Sequence, residues 1–572
     1  MTTDEKTKST TVAGVPSSMP AIVIAVAIVV YAVALCVNPG PENDLFWQLR
    51  TGQTIMSTHA IPHFDTYSWT RRGTPWVAHE WLTFVLFWIA YAWKGFAGVW
   101  LLTAAVAAVM VALLYALILR ETSRATASGG PGAPATAMVL TAFASTAAGA
   151  FFQPRPQIFT YLFTLVTLAI IMRIRRAGPT PLQWLVVPLF ILWANLHAGV
   201  LVGVAQFALF AIGDAVIEWR GNGKTHWRLI AALTGTCFLA TLATPYSYHE
   251  YQNILSTVTN STAMNNVAEW ASPNYHNTFG KLFEGYVLLL LAGLFLTRLR
   301  HDPVELIVCA VFLHEALTES RNVPLLALTA TVLMARHLQS ALVRILNGDR
   351  LPIEDGLPRL PADSLFGSSP SMIITAAMFA AICFAGLMRV ETTIKNSAPQ
   401  TGPTLDRIAL ASISYGDHPS RAAAFIEREN IPATIRMYNS YDEGGFLIWR
   451  MPEHPVFVDS RADVYFGPTF DEVRDVTIGV IGWRTLMDKN GVDMIFSPVS
   501  DPQSRGYLEA PDWALVYVDH PDIDKPRSGY DTNNTFIFIR RVPQYTGLIA
   551  RCRRDCPALA RMNGYSGYLS LR

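Results

Sequence analysis

Asp44 lies in Glu42-Asn43-Asp44-Leu45-Phe46-Trp47, a few residues past the first hydrophobic stretch, so its carboxylate is held where membrane meets water. A carboxylate within hydrogen-bond reach of an acceptor hydroxyl removes its proton as the oxygen attacks an activated carbon, which is general-base chemistry. Asp44 also opens an amphipathic run to Ile55-Met56, where an acid serves equally as a helix N-cap. His79-Glu80 follows, ahead of Trp81 to Trp93. Glu80 reads as a second base, a sugar-hydroxyl acceptor or an arginine's partner, and equally as a helix-start acid beside a solvated histidine. Thr83 stands where a zinc protease motif needs its second histidine. No metal-ligand spacing stands out, although Asp44 and Glu80 could share a divalent ion.

Gln153-Pro154-Arg155-Pro156-Gln157 breaks the chain between two apolar runs, and its prolines fix an extended backbone that aims Arg155 along the membrane surface. A guanidinium there suits a phosphate or pyrophosphate head group. Arg321, in Glu319-Ser320-Arg321-Asn322, stands at the mouth of another run and suits the same role. Each arginine reads alternatively as a snorkelling side chain or as the partner of a carboxylate such as Glu319. Asn195 and His197 occupy a tight turn between two runs, where a lone histidine is more often structural than catalytic. The loop with Tyr246, Tyr248 and His249, continuing to Glu269-Trp270, mixes rings with polar tips. That mixture suits sugar binding and an aromatic interface belt equally.

The chain has 572 residues, 51% hydrophobic and 15% charged, with a mean hydropathy of +0.28. That is more apolar side chain than a soluble surface tolerates, and a polytopic membrane protein is expected. The net charge of +1 offers no footprint for nucleic acid. Four of the six cysteines fall in apolar runs, leaving Cys552 and Cys556 as a pair that bridges only in an oxidising compartment. Gly223-Lys224-Thr225 mimics the end of a P-loop, but Glu218 occupies the required earlier glycine position.

Apolar stretches near the length of a bilayer crossing occur at 21–37, 97–119, 136–152, 158–172, 182–197, 199–218, 229–243, 284–297, 304–318, 323–340 and 371–389, predicting about eleven spans. Trp81 to Trp93 is short, rich in tryptophan and broken by Lys94-Gly95, so it reads as an interfacial or re-entrant helix. Counted that way, the clusters at Arg120 and Arg124, Arg173 to Arg176, Arg220 to Arg228, Arg298 and Arg300, and Arg336 to Arg350 share one side, the cytoplasm by the positive-inside rule. The candidate polar groups take the other. The expected organisation is a disordered cytoplasmic 1–19, a membrane domain over 20–390 with its first outer loop at 38–96, and an extracytoplasmic α/β domain over 391–572. In that last part, 446–449, 456–458, 494–496, 514–518 and 536–539 read as strands. Tyr441 to Phe446 and Val458 to Asp463 carry acids at strand ends, where ligands commonly sit, and turn chemistry explains Gly444-Gly445 as well.

Asp44 after the first span, Trp76 to Trp81 leading into an interfacial helix, many spans and an outer soluble domain together resemble the GT-C class of integral-membrane glycosyltransferases. The likeness is to bacterial proteins similar to protein mannosyltransferases, aminoarabinose transferases and lipopolysaccharide galacturonosyltransferases. That class often has adjacent acids in the first outer loop, whereas here Asn43 precedes Asp44 and the nearest acid is Glu42. The resemblance implies transfer of a sugar, with inversion, from a polyprenyl-phosphate donor to a lipid, glycan or protein acceptor outside the cytoplasm of a bacterial plasma membrane. Asp44 is then the base and Glu80 its assistant. Arg155 and Arg321 hold the carrier phosphate, while His79, Gln157, His197, Tyr246, Tyr248, Glu269 and Glu319 belong to the substrate pocket. A transporter, which needs polar groups deep in its spans, and a non-catalytic membrane scaffold are the competing readings.

Overall fold

The computed structural model describes residues 19–37, 42–125, 133–260, 268–347, 353–354, 357–358, 369–397, 402–519 and 534–554. Of the segment 1–19 expected to be disordered, residues 1–18 lie outside them, as does the partner cysteine Cys556, while Met19 begins a helix. Thirteen helices are named here in the first two thirds: α1 (Met19–Leu35), α2 (Asp44–Thr58), α3 (Trp81–Ser123), α4 (Ala133–Ala148), α5 (Gln157–Ala177), α6 (Val186–Leu196), α7 (Val200–Trp219), α8 (Trp227–Ala240), α9 (His249–Val258), α10 (Thr278–Leu296), α11 (Pro303–Thr318), α12 (Val323–Asn347) and α13 (Ser369–Ser397).

Each of the eleven apolar stretches overlaps one of these helices, and six of them run past a helix end by one to four residues. Among the described residues, six helical segments are long and apolar enough to cross a membrane: Trp81–Ser123, Pro134–Phe151, Gln157–Ala177, Val200–Trp219, Thr278–Leu296 and Ser320–Ile345. Val26–Leu35, Pro181–Leu196 and Trp227–Ala240 are apolar but shorter. The chain is a polytopic α-helical membrane protein.

The break at Lys94-Gly95 divides α3 in two, with Gly95 at φ 58°. Past the break the chain folds back closely, so a β-carbon at Gly98 would meet the Ala90 carbonyl at 1.9 Å. The first limb touches α6, where Thr83 donates to the Leu196 carbonyl at 2.7 Å, and reaches out to the C-terminal part, where Trp88 and Tyr91 set their rings against Trp449 at 6.1 and 5.0 Å. The second limb joins α1, α4, α5, α7 and α12 in one apolar core.

The C-terminal part builds a four-stranded sheet from β1 (Met437–Asn439), β2 (Met494–Pro498), β3 (Trp513–Val518) and β4 (Thr535–Arg540), in the order β1-β2-β4-β3. β1 runs parallel to β2, and the other pairs are antiparallel. Nearly every strand residue is buried, so both faces are covered, as expected where helices flank a sheet. Helices α14 (Thr404–Ser412), α15 (Ser420–Arg428), α16 (Tyr441–Arg450) and α17 (Pro468–Thr477) accompany it.

Two expected strands are corrected. Phe446 to Trp449 lies in α16, and 456–458 is irregular apart from a single bridge between Ser68 and Val456. A short apolar run cannot distinguish strand from buried helix, and here Phe446 must meet Phe46, 5.2 Å away on α2. The same contact accounts for Gly445: a β-carbon there would meet the Asn43 carbonyl at 2.3 Å, so close helix packing rather than a turn requires glycine. Met437–Asn439 is a strand the sequence pattern did not reveal. One continuous apolar cluster joins Leu45, Phe46, Trp47, Trp76 and Phe84 to the sheet, so α2 and the first outer loop share a core with the C-terminal part.

Candidate functional site

A cavity of about 570 Å³ opens where α2, the first loop, the α6–α7 turn, α9, the α11–α12 turn and the C-terminal part meet. Nine of the eleven residues singled out from the sequence line it: Asp44, His79, Glu80, Arg155, Gln157, His197, Glu269, Glu319 and Arg321.

Asp44 is the first residue of α2, so the N-cap is Asn43, whose side chain caps no backbone group. Glu42 takes that part instead, accepting from the Asp44 backbone N–H at 3.3 Å. The Asp44 carboxylate accepts from the Trp47 indole N–H at 3.1 Å, which lies equally close to Ser460 Oγ. Burial pushes the Asp44 carboxyl above its usual range against the pull of Arg155. Glu42, fully buried, is pushed up to about 7 for the same reason.

Arg155 is gripped from two sides. Its Nε donates to Glu42 at 2.5 Å and its Nη1 donates to Glu269. Ser320 fastens that second carboxylate's segment, donating its hydroxyl to the Glu269 carbonyl at 2.9 Å. Arg321 is held more loosely: Glu319 stands 3.9 Å away and the Trp270 ring lies beneath the guanidinium at 5.5 Å.

Glu80 faces two imidazoles, with His79 Nε2 at 3.6 Å and His197 Nε2 at 3.4 Å from its Oε1. Burial alone would lower His79, but the Glu80 carboxylate, with Asp463 and Glu250, holds it up to about 9. His197 is pushed well below its ordinary value by burial, by His79 and by Arg321. Its Nδ1 accepts the Gly199 N–H at 2.9 Å and faces Thr160 Oγ1 at 2.7 Å, which leaves the ring proton on Nε2, toward Glu80. Gly199 is required there, since a β-carbon would meet His197 Nδ1 at 2.5 Å. One carboxylate therefore separates a cationic imidazole from a neutral one.

Tyr246 and Tyr248 are not at the cavity. Tyr246 is buried, donates its hydroxyl to the Pro62 carbonyl at 2.6 Å and packs on His63, which fixes the first loop. Tyr248 is 57% exposed and lies on His249. The C-terminal part supplies further lining: Tyr441, Asp442, Ser460, Arg461 and Asp463. Their signal was present in the acids at 441–446 and 458–463. Trp270, in the loop read as suited to sugar binding, lines the cavity too, whereas one face of α9, with Asn253, Ile254, Thr257 and Val258, went unrecognised because an amphipathic helix outside a span has no distinctive chemistry. Among the described residues no group of three or more His, Cys, Asp or Glu side chains is placed to hold a metal ion. Asp44 and Glu80 line the same cavity, but each is engaged with its own neighbours.

No family model and no curated protein matches the sequence. Among solved structures, the archaeal oligosaccharyltransferase AglB from Archaeoglobus fulgidus, in complex with an inhibitory peptide and a dolichol-phosphate, is similar with a TM-score of 0.51 at 12% identity, over 86% of this chain and 71% of that one. The apo form of the oligosaccharyltransferase from the same organism gives 0.52 at 11% identity, over the same shares. The chain has the GT-C fold. ArnT from Cupriavidus metallidurans bound to undecaprenyl phosphate covers 92% of this chain and 98% of its own, with a TM-score of 0.47 at 12% identity. In this GT-C chain the first outer loop and the C-terminal part together enclose the cavity.

Proposed function

We propose that the protein is a membrane glycosyltransferase that moves a sugar from a polyprenyl-phosphate donor to an acceptor, with Asp44 as general base. The supporting observation is that Asp44, Arg155 and Arg321, drawn from three separate segments, line one cavity. The acceptor hydroxyl oxygen attacks the anomeric carbon, Asp44 takes its proton, and the bond from that carbon to the phosphate oxygen breaks with inversion. Polyprenyl phosphate leaves as a good leaving group, so the departing oxygen needs charge stabilisation more than a proton.

The two arginines divide the work. Arg155 already carries two carboxylates and acts as a positioning residue that holds Glu42 beside Asp44. Arg321, more loosely held, meets the phosphate. Glu80 binds a sugar or acceptor hydroxyl, oriented by His79 and His197. Leu201, Ile254 and Val258 give the cavity an apolar side suited to the lipid. The AglB structure contains a dolichol-phosphate, a carrier of the class proposed here. The basic clusters at the far helix ends favour a bacterial plasma membrane with the cavity outside the cytoplasm.

The test is reconstitution in lipid with a panel of polyprenyl-phosphate sugars, following release of polyprenyl phosphate. Consumption of one donor, dependent on an added acceptor, supports the reading. Consumption of none by well-folded protein opposes it.

A further inference from the structure

At the other end of the bundle a second cavity, about 470 Å³, is lined by Glu121, Arg124, Arg176, Leu299, Arg300 and Arg336. Helix α5 measures the separation: its 21 residues run about 30 Å from Gln157, at the Asp44 cavity, to Arg175 and Arg176 in its last turn. We propose that this basic cavity is a binding site for a phosphate mono- or diester, separate from the transfer site and independent of its assignment.

Four guanidiniums meet here, and two carboxylates answer them. Glu121 pairs with Arg124 at 3.1 Å and with Arg176. Glu305 pairs with Arg176 at 2.9 Å and with Arg336 at 3.1 Å. Arg300 is exposed and has no carboxylate partner among the described residues. Arg336 Nε is buried without a hydrogen-bond partner. The adjoining Arg175, bound by Asp214 and Asp302, adds one more negative charge than positive, and the whole network still keeps an excess cation.

The paired part of this network closes its own charges, Arg124, Arg175, Arg176 and Arg336 against Glu121, Glu305, Asp214 and Asp302, as the cost of an uncompensated buried guanidinium requires. The surplus is the exposed Arg300 at the rim of the cavity, which with the unpartnered Arg336 Nε is left to meet an anion. Guanidinium forks match phosphate oxygens in pairs, whereas a carboxylate ligand would satisfy fewer of the four. The site lies where helices emerge from the membrane. Its phosphate can therefore come from a lipid headgroup or from solution.

The experiment uses the full chain with Arg124→Gln and Arg300→Gln combined, two exposed positions whose change gives up the Arg124–Glu121 pair but keeps those of Arg176 and Arg336. Arg228→Gln, 80% exposed at the same end but outside the cavity, is the control. Retention of phosphatidylglycerol is read by native mass spectrometry from mixed phosphatidylcholine–phosphatidylglycerol vesicles. Inorganic phosphate and pyrophosphate are titrated separately into protein held in phosphatidylcholine alone, with melting temperature as readout.

The double variant is expected to retain phosphatidylglycerol about tenfold less tightly, with R228Q unchanged. A response confined to the lipid arm assigns a headgroup, and stabilisation by phosphate in the second arm assigns a soluble source. The proposal is overturned if the double variant matches the native chain in both arms, or if R228Q weakens binding as much as the double variant does.

Discussion

Arg461 donates to Asp65 at 2.7 Å across 396 positions of sequence, and both side chains are buried. The same guanidinium grips Asp459 through Nε and Nη2 and lies over the Trp76 ring at 4.6 Å. Backbone bonds run alongside, from Trp69 N–H to the Val456 carbonyl and from Val456 N–H to the Tyr67 carbonyl. The C-terminal part is thereby laced to the first loop, and Arg461 is also part of the cavity wall.

Loss of that guanidinium leaves Asp65 and Asp459 buried without their cation. Removing one partner of a buried pair costs about 3–5 kcal/mol, so Arg461→Met is expected to lower the melting temperature sharply. Asp65→Asn should cost less, because Asp459 remains. Thermal unfolding in lipid nanodiscs checks the order, and an unchanged melting temperature in R461M would refute the linkage.

Phe46 sets its ring against His418 at 4.5 Å, Phe446 at 5.2 Å and Phe96 at 5.9 Å, joining α2 to α16 and to the second limb of α3. Truncation to alanine leaves a cavity in a fully buried spot, with a cost of about 3–5 kcal/mol. Protease susceptibility of the first loop should rise in parallel with the loss of stability. A variant as resistant as the native chain would show that α2 does not depend on this contact.

The membrane part was legible because each apolar stretch must satisfy its own backbone, which dictates helix wherever the run is apolar. The break at Lys94-Gly95 was visible for the same reason. The strand predicted at Phe446 was not a failure of hydrophobicity but of context, since its partner Phe46 lies four hundred positions away. The cavity's membrane-side half was readable from polar groups stranded at helix ends: Asp44, Arg155, His197 and Arg321. Its other half was legible only in part: the acids at 441–446 and 458–463 stood out, but that Asp442, Ser460, Arg461 and Asp463 face the same cavity depends on a fold that lays them against the first loop. Tyr246 and Tyr248 carried an aromatic signal that fits loop packing as well as sugar binding.

Arg321 is expected to matter through charge and shape together. Arg321→Gln should lower kcat by about 10²-fold, the scale of removing one preorganised charge-stabilising donor. Arg321→Lys should recover only part of that loss, because an ammonium keeps the charge without the fork. Single-turnover rates on an active donor decide it, and equal rates in R321Q and the native protein would remove Arg321 from the chemistry.

The acid limb of activity should lie above the ordinary aspartate value of 3.8, since burial raises Asp44 and only its ionised form accepts a proton. Glu269 contributes to that rise as a like charge, and it also occupies Arg155. Glu269→Gln removes the first effect and frees the guanidinium, and both favour the carboxylate. The acid limb of kcat/KM should therefore shift to lower pH by about one unit. A shift to higher pH would mean that another group controls the limb.

The most direct test of the account compares native protein with Asp44→Asn in the same nanodiscs, on a donor the native protein consumes. Asparagine keeps the shape and the contact with Trp47 but cannot accept the proton. Transfer is expected to fall by about 10²-fold or more, with donor affinity and melting temperature nearly unchanged. Transfer at the native rate by folded D44N would contradict the assignment of Asp44 as the base.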